Sequence, residues 1–547
     1  MVEVELSRRA LRRLAALAAA CGLAAAGAAD AATANPRLEP VPLPQLVEQN
    51  GRWSLMVDGA PFLVLGAQVN NSSAWPAELP KVWPAVDRLH ANTVEVPIAW
   101  EQIEPEEGKF DFAFLDRLLA EARQHDKRLI LIWFGAYKNT SPSYAPLWVK
   151  FDPKRFPHAL DAQGQPIYTL SPLAPATLDA DKTAFAAFMR HLKAADPQRT
   201  VLMVQVENET GVYGAVRDYS PAAQALFNGP VPDAVLKATG KPAGTWSEAF
   251  GQDADELFYA WALARYVEQV AQAGKAEYPL PMSVNAALRD PFKPQDPHTF
   301  ASGGPTWDVL DVWKAGGPSI DLIAPDIYLH DYPAYARTLE QYGRPDNALF
   351  VPETSDTADN PRMMFEVLGR GGIGFAPFGV DYTGYTNFPL GAPKIDEAAI
   401  DGLAQNYRLI EPQMRELAKL QSEGKLHGVA EPSEVHEQTL ALGPWVATVS
   451  YGRLQFGDAP APGNTPPAGG VLIAELGPDA FMVMGYHARI SFAPTDKTKR
   501  WFYARVEEGH YDNGRWVFDR IWNGDQIDWG LNLTSAPQIL RVRLGTY

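Results

Sequence analysis

The chain has 547 residues, of which 46% are hydrophobic and 21% are charged, with 15 Trp, 20 Tyr and 24 Phe. This composition excludes a disordered or fibrous protein, and the length predicts one large domain with at least one smaller domain. The formal net charge of −17 would repel polyphosphates and anionic lipids, so nucleic acid and membrane surfaces are poor candidate partners and a neutral ligand is favoured.

The N-terminal segment has the pattern of an export signal. Arg8 and Arg9 lie in a basic run that precedes an alanine- and leucine-rich stretch over residues 14–29. We therefore predict a signal peptide over residues 1–31, which resembles a bacterial twin-arginine signal, with an ordinary secretory signal as the alternative. The mature chain is expected in the bacterial periplasm or secreted, with no membrane span. It would contain no thiol, because Cys21 is the single cysteine and lies in the signal.

The region from about residue 60 to 380 alternates apolar runs with amphipathic stretches, which is the pattern of parallel βα units. Eight apolar runs are predicted as strands, at residues 62–69, 92–98, 128–134, 201–206, 280–286, 322–328, 349–353 and 372–378. Helices are predicted at residues 114–125, 182–194, 255–273, 362–368 and 398–420. Eight such units predict an α/β fold of the (β/α)8 TIM-barrel type within residues 32–425, with its active site at the carboxyl ends of the strands. A doubly wound open sheet is the alternative, but no glycine-rich dinucleotide turn follows the first strand.

The sequence after about residue 425 changes to short alternating strands separated by Gly, Pro and Asn. Strands are predicted at residues 439–442, 445–451, 471–476, 480–486, 500–507 and 539–544. This pattern predicts a C-terminal all-β, sandwich-like domain over residues 426–547. The domain either packs against the barrel or binds carbohydrate, and the scattered aromatic residues favour packing.

Two glutamates are located at strand ends of the predicted barrel. Glu209 follows the fourth strand and Glu353 ends the seventh. Glycoside hydrolysis with retention needs one carboxylic acid to protonate the leaving oxygen and one carboxylate to attack the anomeric carbon, about 5–5.5 Å apart. Strands four and seven lie across the mouth of a barrel from each other, so the fold can bring these two residues together.

Residues 204–209, Val-Gln-Val-Glu-Asn-Glu, closely resemble the fourth-strand motif of the retaining β-galactosidases of glycoside hydrolase family 35. Residues 92–112 and 386–388 are also similar to that family, and residues 351–353, Val-Pro-Glu, resemble the seventh-strand motif of the wider clan. The second-strand segment in addition resembles the family 42 β-galactosidases, which share the mechanism. The resemblance covers about residues 60–420.

The resemblance implies a role for each matching residue. Glu209 is expected to be the acid/base and Glu353 the nucleophile. Asn208 is expected to bind the sugar 2-hydroxyl, where contacts strengthen in the transition state, and Tyr328 matches a tyrosine that bonds the nucleophile. Glu207 alternates with Glu209 along the strand, so it is expected to be structural.

The chain departs from the family pattern at two positions that hold galactose, since it has Pro97 and Ser141 where Tyr and Glu are usual. Its sugar contacts must therefore differ. Polar residues that can supply other contacts are Asn70, Glu95, Lys138, Asn139 and Asn285. Aromatic residues that can stack on a sugar are Trp307, Tyr385, Trp246 and Trp313, of which Trp307 and Tyr385 are the preferred candidates. A structural role is the alternative for each of these residues.

The sequence gives no sign of a metal or cofactor requirement, because the 10 His residues show no HExxH or paired spacing. The leading hypothesis is an exported retaining exo-β-galactosidase that removes terminal β-linked galactose from plant-type oligosaccharides or polysaccharides. Another retaining β-glycosidase or an endo-glycanase of the same clan is one alternative, and a non-catalytic carbohydrate-binding protein is another. The oligomeric state is left open.

Overall fold

A computed structural model describes residues 41–452 and 461–547, so the predicted signal peptide lies outside the described residues. The described chain begins with a three-stranded antiparallel sheet of β1 (Gln45–Gln49), β2 (Arg52–Val57) and β3 (Ala60–Phe62). Leu55 and Phe62 from this sheet pack in one apolar cluster with residues at the amino ends of barrel strands, such as Val64 and Leu202. The sheet therefore closes the amino end of the barrel.

Eight parallel strands form the closed barrel, and they correspond one to one with the eight predicted runs. They are β4 (Val64–Gln68), β5 (Thr93–Ala99), β6 (Arg128–Lys138), β9 (Val201–Asn208), β10 (Met282–Ala287), β11 (Leu322–Ile327), β12 (Val351–Thr354) and β13 (Gly374–Pro377), with the hairpin β7 (His158–Leu160) and β8 (Pro166–Leu170) between β6 and β9. The barrel closes where β13 pairs with β4. Nearly all barrel-strand residues are buried because both faces of the sheet are covered, which explains their continuous apolar sequences. The predicted barrel is confirmed.

The helices surround the barrel with amphipathic faces towards it. They are α1 (Leu79–Leu89), α2 (Trp100–Ile103), α3 (Ala113–Gln124), α4 (Leu147–Lys150), α5 (Pro175–Ala195), α6 (Pro221–Phe227), α7 (Asp233–Thr239), α8 (Trp246–Phe250), α9 (Ala254–Glu277), α10 (Leu310–Gly316), α11 (Tyr332–Tyr342), α12 (Met363–Gly369), α13 (Glu397–Ile410) and α14 (Met414–Ser422). The single helix predicted over residues 398–420 is in fact two helices, α13 and α14. They are separated at Pro412, because proline lacks an N–H group and restricts the residue before it. No helix among the described residues has the length and apolar character of a membrane span.

The C-terminal part is a β-sandwich, as predicted. Its strands are β14 (Leu426–Ala430), β15 (Glu437–Leu442), β16 (Trp445–Tyr451), β17 (Gly470–Gly477), β18 (Ala480–Tyr486), β19 (Ala488–Pro494), β20 (Trp501–Asp512), β21 (Arg515–Ile521), β22 (Leu531–Leu533) and β23 (Gln538–Thr546). One antiparallel sheet has the order β14-β17-β18-β23-β20-β21, and the other has the order β15-β16-β19-β22. Inward side chains from both sheets, including Trp445, Ile473, Phe481 and Phe492, form one buried cluster between them.

The sandwich packs on α12, the helix that follows β12 in the chain. A Cβ on Gly428 of β14 would lie only 2.2 Å from the carbonyl oxygen of Phe365, so glycine permits this close approach. Arg362 Nε donates to the carbonyl of Glu431 at 3.1 Å, and the Ala430 N–H donates to Glu366 at 3.1 Å. The sandwich therefore supports the unit that also carries Glu353.

Candidate active site

Three acidic side chains meet at the carboxyl end of the barrel. One carboxylate oxygen from each of Glu209, Asp326 and Glu353 lies within 4.8 Å of the other two. Asp326 and Glu353 are direct partners in the β11–β12 ladder, and Glu209 immediately follows β9. We call these residues the mouth acids. Their separation would also allow them to bind a cation, and the absence of a metal requirement stays a prediction.

Glu353 is buried and hydrogen-bonded on both carboxylate oxygens. Tyr328 Oη donates to one oxygen at 2.5 Å, and Gln68 Nε2 donates to the other at 3.1 Å. Burial, and next the charge of Glu209, raise the pKa of Glu353 to about 7, while Lys138 and the two hydrogen bonds act in the opposite direction. A carboxyl group with this pKa is mostly ionised above about pH 7, and the ionised form is the one that can act as a nucleophile.

Glu209 is presented by an unusual backbone. Glu207 and Glu209 have φ angles of 63° and 46°, in the left-handed region that non-glycine residues rarely adopt. The Glu209 N–H donates to Asn285 Oδ1 at 2.8 Å, and its carbonyl accepts from the N–H of Thr140 at 3.1 Å. Asn139 and Thr140, at the end of β6, are left-handed as well. The ends of β6 and β9 therefore hold each other in the conformation that turns Glu209 to the barrel mouth.

A chain of amides connects the mouth acids. Asn208 is fully buried, and its Oδ1 accepts from Gln205 Nε2 and from Asn285 Nδ2, both at 3.1 Å. Its Nδ2 donates to Asn139 Oδ1 at 3.3 Å. Asn285 Nδ2 also donates to Asp326 Oδ2 at 2.7 Å. The predicted residues Asn208, Asn139 and Asn285 are thus brought together beside Glu209, with Asp326 at the end of the chain.

Asp326 is a residue of the site that the sequence analysis missed. It is 3% exposed, and its Oδ1 has no hydrogen-bond donor among the described residues. Burial, followed by the charges of Glu353 and Glu209, raises its pKa well above the usual range. The sequence feature that could have identified Asp326 is its place at the end of the sixth strand, two residues before Tyr328.

Lys138 supplies positive charge to this acidic site. Its side chain is buried at the end of β6, and its Nζ donates to Asn139 Oδ1 at 2.5 Å. Its charge lowers the pKa of both Glu353 and Asp326, against the larger effect of burial. Ser141, at the position where the family pattern has Glu, donates to the Lys138 carbonyl at 3.1 Å and so shapes this loop.

A second acidic group, Glu207 with Asp181 of α5, is sealed beneath the mouth. Both side chains are buried and hydrogen-bonded to each other, which requires that they share a proton. Asp181 accepts from Trp133 Nε1 and from Tyr266 Oη, both at 2.8 Å, and Glu207 accepts from the Tyr137 N–H at 2.7 Å. Burial and then Asp181 raise the pKa of Glu207 well above the usual range. This sealed pair has the contacts of a structural group.

Asn70 and Tyr385 line a cavity of about 380 Å³ together with Tyr144 and Thr383. Asn70 Nδ2 donates to Asp381 at 3.0 Å, while its buried Oδ1 has no donor among the described residues. Tyr385 is 60% exposed at the rim. None of the mouth acids lines this cavity, but Asn70 lies two residues after Gln68, which bonds Glu353, so Asn70 is on the nucleophile side of the mouth.

Trp307 is not brought to the mouth acids. It lines a separate cavity of about 870 Å³ with Arg289 and Phe292, and none of the mouth acids lines that cavity. Its Nε1 donates to the carbonyl of Asp290 at 3.1 Å. The other two tryptophans considered, Trp246 and Trp313, are fully buried in the core, which agrees with the structural alternative.

Glu95 lies inside the barrel, where it pairs with Gln68 in the β4–β5 ladder. It is fully buried, and neither carboxylate oxygen has a hydrogen-bond partner among the described residues. Burial and then Glu353 raise its pKa well above the usual range. Its role in substrate binding stays a prediction, as do the roles of the other site residues.

Two family models match the chain. Residues 73–289 match the beta-galactosidase model of glycoside hydrolase family 42, and residues 403–534 match a domain of unknown function (DUF5597). The first match contains Glu209 and supports the likeness to family 42, while the likeness to family 35 stays a resemblance of motifs. A search of curated protein sequences gives no match.

Among solved structures, similar chains include three bacterial β-galactosidases. That of Rahnella sp. R3 has a TM-score of 0.43 and 15% identity over 66% of this chain and 57% of its own. That of Marinomonas ef1 has a TM-score of 0.47 and 15% identity, covering 66% of this chain and 62% of its own. That of Bacillus circulans sp. alkalophilus has a TM-score of 0.48 and 10% identity, covering 88% and 99%.

The chain thus spans about three fifths of the length of the first two of these proteins. The family-model match covers β5 to β10 of the barrel, including the strand end that carries Glu209. Residues 73–289 are therefore similar to the beta-galactosidases of family 42, which supports the predicted likeness to that family.

Proposed function

We propose that the chain is a retaining, exo-acting β-galactosidase that removes terminal β-linked galactose from plant-type oligosaccharides or polysaccharides. The observation that carries the proposal is the approach of Glu209 and Glu353, whose carboxylate oxygens lie within 4.8 Å. Retaining glycosidases have their two carboxyl groups about 5–5.5 Å apart, whereas inverting enzymes leave about 6.5–9.5 Å for a water molecule. The short separation favours double displacement.

In this mechanism Glu353 attacks the anomeric carbon while Glu209 gives its proton to the leaving oxygen. The hydrogen bonds from Tyr328 and Gln68 hold the Glu353 carboxylate in place and favour its ionised form. Glu209 then takes a proton from the water that releases the sugar from Glu353. The long 3.3 Å bond from Asn208 to Asn139 is the contact that a sugar 2-hydroxyl would replace.

The cavity lined by Asn70 and Tyr385 supports action at a chain end, because Asn70 follows Gln68, whose amide bonds the nucleophile. Its volume of about 380 Å³ lies near the lower end of the roughly 300–1,000 Å³ typical of ligand sites, which favours one terminal sugar. The free Oδ1 of Asn70 can accept from a sugar hydroxyl, and the exposed ring of Tyr385 can stack on a sugar face. These contacts would replace those lost with Pro97 and Ser141.

We also propose that the enzyme acts outside the cytoplasm, in the periplasm or after secretion. The support is the sequence pattern of residues 1–31 alone. A polysaccharide cannot enter the cytoplasm intact, so export is consistent with a plant-type polymer as the source of the substrate.

The test is release of p-nitrophenol from matched β-galactoside, β-glucoside, β-mannoside and β-xyloside, with the anomer of the first-formed sugar followed by NMR. We expect preference for the galactoside and a β-anomer product, with turnover lost in Glu209→Gln. Glu207→Gln is the matched control, because it makes the same change two residues away in a group outside the reaction centre, and it should stay active. Preference for another sugar would overturn the galactose assignment, and an α-anomer product would overturn retention.

A further inference from the structure

The mouth contains three carboxyl groups, although double displacement uses only two. Asp326 lies beside the nucleophile and the acid/base, with one oxygen of each of the three groups within 4.8 Å of the other two. Lys138 is the cation that acts on both Asp326 and Glu353. Two further titratable groups, Tyr328 and Tyr342, also face Asp326. Three ionised carboxylates here would place two negative charges beyond the one that Lys138 balances, in a buried site.

Asp326 acts on Glu209 through Asn285. The Asn285 amide points its Nδ2 at Asp326 Oδ2 and its Oδ1 at the Glu209 N–H. This orientation gives the left-handed backbone of Glu209 the acceptor that it needs. Asn208 Oδ1 accepts from the same Nδ2 at 3.1 Å, so Asp326 is the nearer of the two acceptors that keep this amide from turning over.

Asp326 is also close enough to Glu209 for a direct hydrogen bond between their carboxyl groups. Two ionised carboxylates repel each other, so such a bond needs a proton on one of them. The Oδ1 of Asp326 has no donor among the described residues, and Oδ2 is already bonded to Asn285, so Oδ1 is the oxygen available to hold this proton.

We propose that Asp326, in its protonated form, is a positioning residue that fixes Glu209 through Asn285 and stabilises the carboxylate that Glu209 becomes after proton transfer. This inference rests on the proposed function. In the first step the bond from the anomeric carbon to the leaving oxygen breaks, the bond to Glu353 forms, and the Glu209 proton moves to the leaving oxygen. Glu209, now a carboxylate, accepts from the Asp326 O–H. In the second step the water oxygen bonds to the anomeric carbon as the bond to Glu353 breaks, and the water proton moves to Glu209, so Asp326 keeps its proton throughout.

Two substitutions separate this role from a role for an ionised Asp326. Asp326→Asn keeps an acceptor for Asn285 and a donor for Glu209, so kcat should fall less than about tenfold. Asp326→Ala removes both contacts, so kcat should fall about 100-fold or more with a much smaller change in KM. The alkaline limb of the pH profile should be steeper for the wild type, in which Asp326 can lose its proton, than for Asp326→Asn, in which it cannot. Glu207→Gln is the control for replacement of a buried acid by its amide.

An equal loss of kcat in Asp326→Asn and Asp326→Ala would overturn the proposal, since it would show that an ionised carboxylate is needed. Wild-type kcat in Asp326→Ala would overturn it as well.

Infrared difference spectroscopy at neutral pH gives a readout that needs no turnover. The wild-type minus Asp326→Asn spectrum should show the carbonyl stretch of a protonated carboxylic acid, and its absence would overturn the protonated state. Failure of the wild type on every aryl glycoside, with this band present, would instead reject the proposed function alone.

Discussion

The mouth acids and the sealed pair are two groups of mostly buried carboxyl side chains, and each takes one member from the end of β9, Glu209 and Glu207 respectively. The mouth acids have an oxygen without a donor among the described residues and a facing lysine, and Glu209 is only partly buried. The sealed pair is closed from solvent, and its oxygens accept from an indole, a phenol and backbone N–H groups. Glu353 and Asp326 share burial and a raised pKa with Glu207 and Asp181, so these properties alone do not identify a catalytic group. Free hydrogen-bonding capacity and the partial exposure of Glu209 make the difference.

The comparison predicts that changes in the mouth acids alter turnover more than stability. Glu353→Gln should lower kcat at least about 1,000-fold, as loss of a covalent nucleophile does in other enzymes. Its melting temperature at pH 8 should match or exceed that of the wild type. The Glu353 pKa is raised to about 7 from an ordinary 4.5, so its ionisation costs stability as pH rises through that interval, and glutamine removes the cost. Aryl galactoside kinetics and thermal melts at pH 5 and pH 8 test this, and a large fall in melting temperature would contradict it.

Changes in the sealed pair should lower stability more than turnover. Asp181→Ala leaves the Trp133 indole and the Tyr266 hydroxyl without an acceptor in a closed site, so the free energy of unfolding should fall by about 3 kcal/mol. Asp179→Ala on the same helix is the matched control, because Asp179 is exposed and its pair with Lys182 should contribute less than about 0.5 kcal/mol. Urea unfolding measures both variants. A kcat loss in Asp181→Ala as large as that of Glu353→Gln would remove the distinction between the two groups.

Gly135 tests how closely the sealed pair is packed. A Cβ at this position would lie 2.4 Å from Trp133 Nε1, 2.6 Å from Glu207 Oε1 and 2.7 Å from Asp181 Oδ1. Gly135→Ala should therefore destabilise the protein by about 1–3 kcal/mol, the usual cost of overpacking. Gly402→Ala in α13 is the control, because no atom lies within 4 Å of its Cβ and alanine should stabilise that helix by about 0.5–1 kcal/mol. Equal melting temperatures for the two variants would show that the side chains of the sealed pair can move to make room for the added methyl group.

The sequence predicts the barrel because each apolar strand is a local pattern, and it predicts Glu209 and Glu353 because both lie at strand ends. Asp181 gives no such signal. It lies within the amphipathic helix α5, where an acid ordinarily faces solvent, and only the packing of Trp133 and Tyr266 against it makes it a buried group. Trp307 shows the converse limit, because its loop follows a barrel strand and yet lines a different cavity. For both residues, contacts between elements far apart in the sequence determine what surrounds the side chain.

Tyr328 allows a finer test of what sets the mouth acids apart, because its hydroxyl bonds the Glu353 carboxylate at 2.5 Å. Tyr328→Phe removes a hydrogen bond that favours the ionised nucleophile, so the Glu353 pKa should rise further above about 7. The acidic limb of kcat/KM should then move to higher pH, and kcat at the optimum should fall about tenfold, the equivalent of about 1.4 kcal/mol.

Tyr332→Phe is the control, since Tyr332 bonds Glu366 on α12 and not a mouth acid. An unchanged acidic limb in Tyr328→Phe would mean that burial alone sets the nucleophile pKa, and the mouth acids would then resemble the sealed pair in their electrostatics and differ only in access.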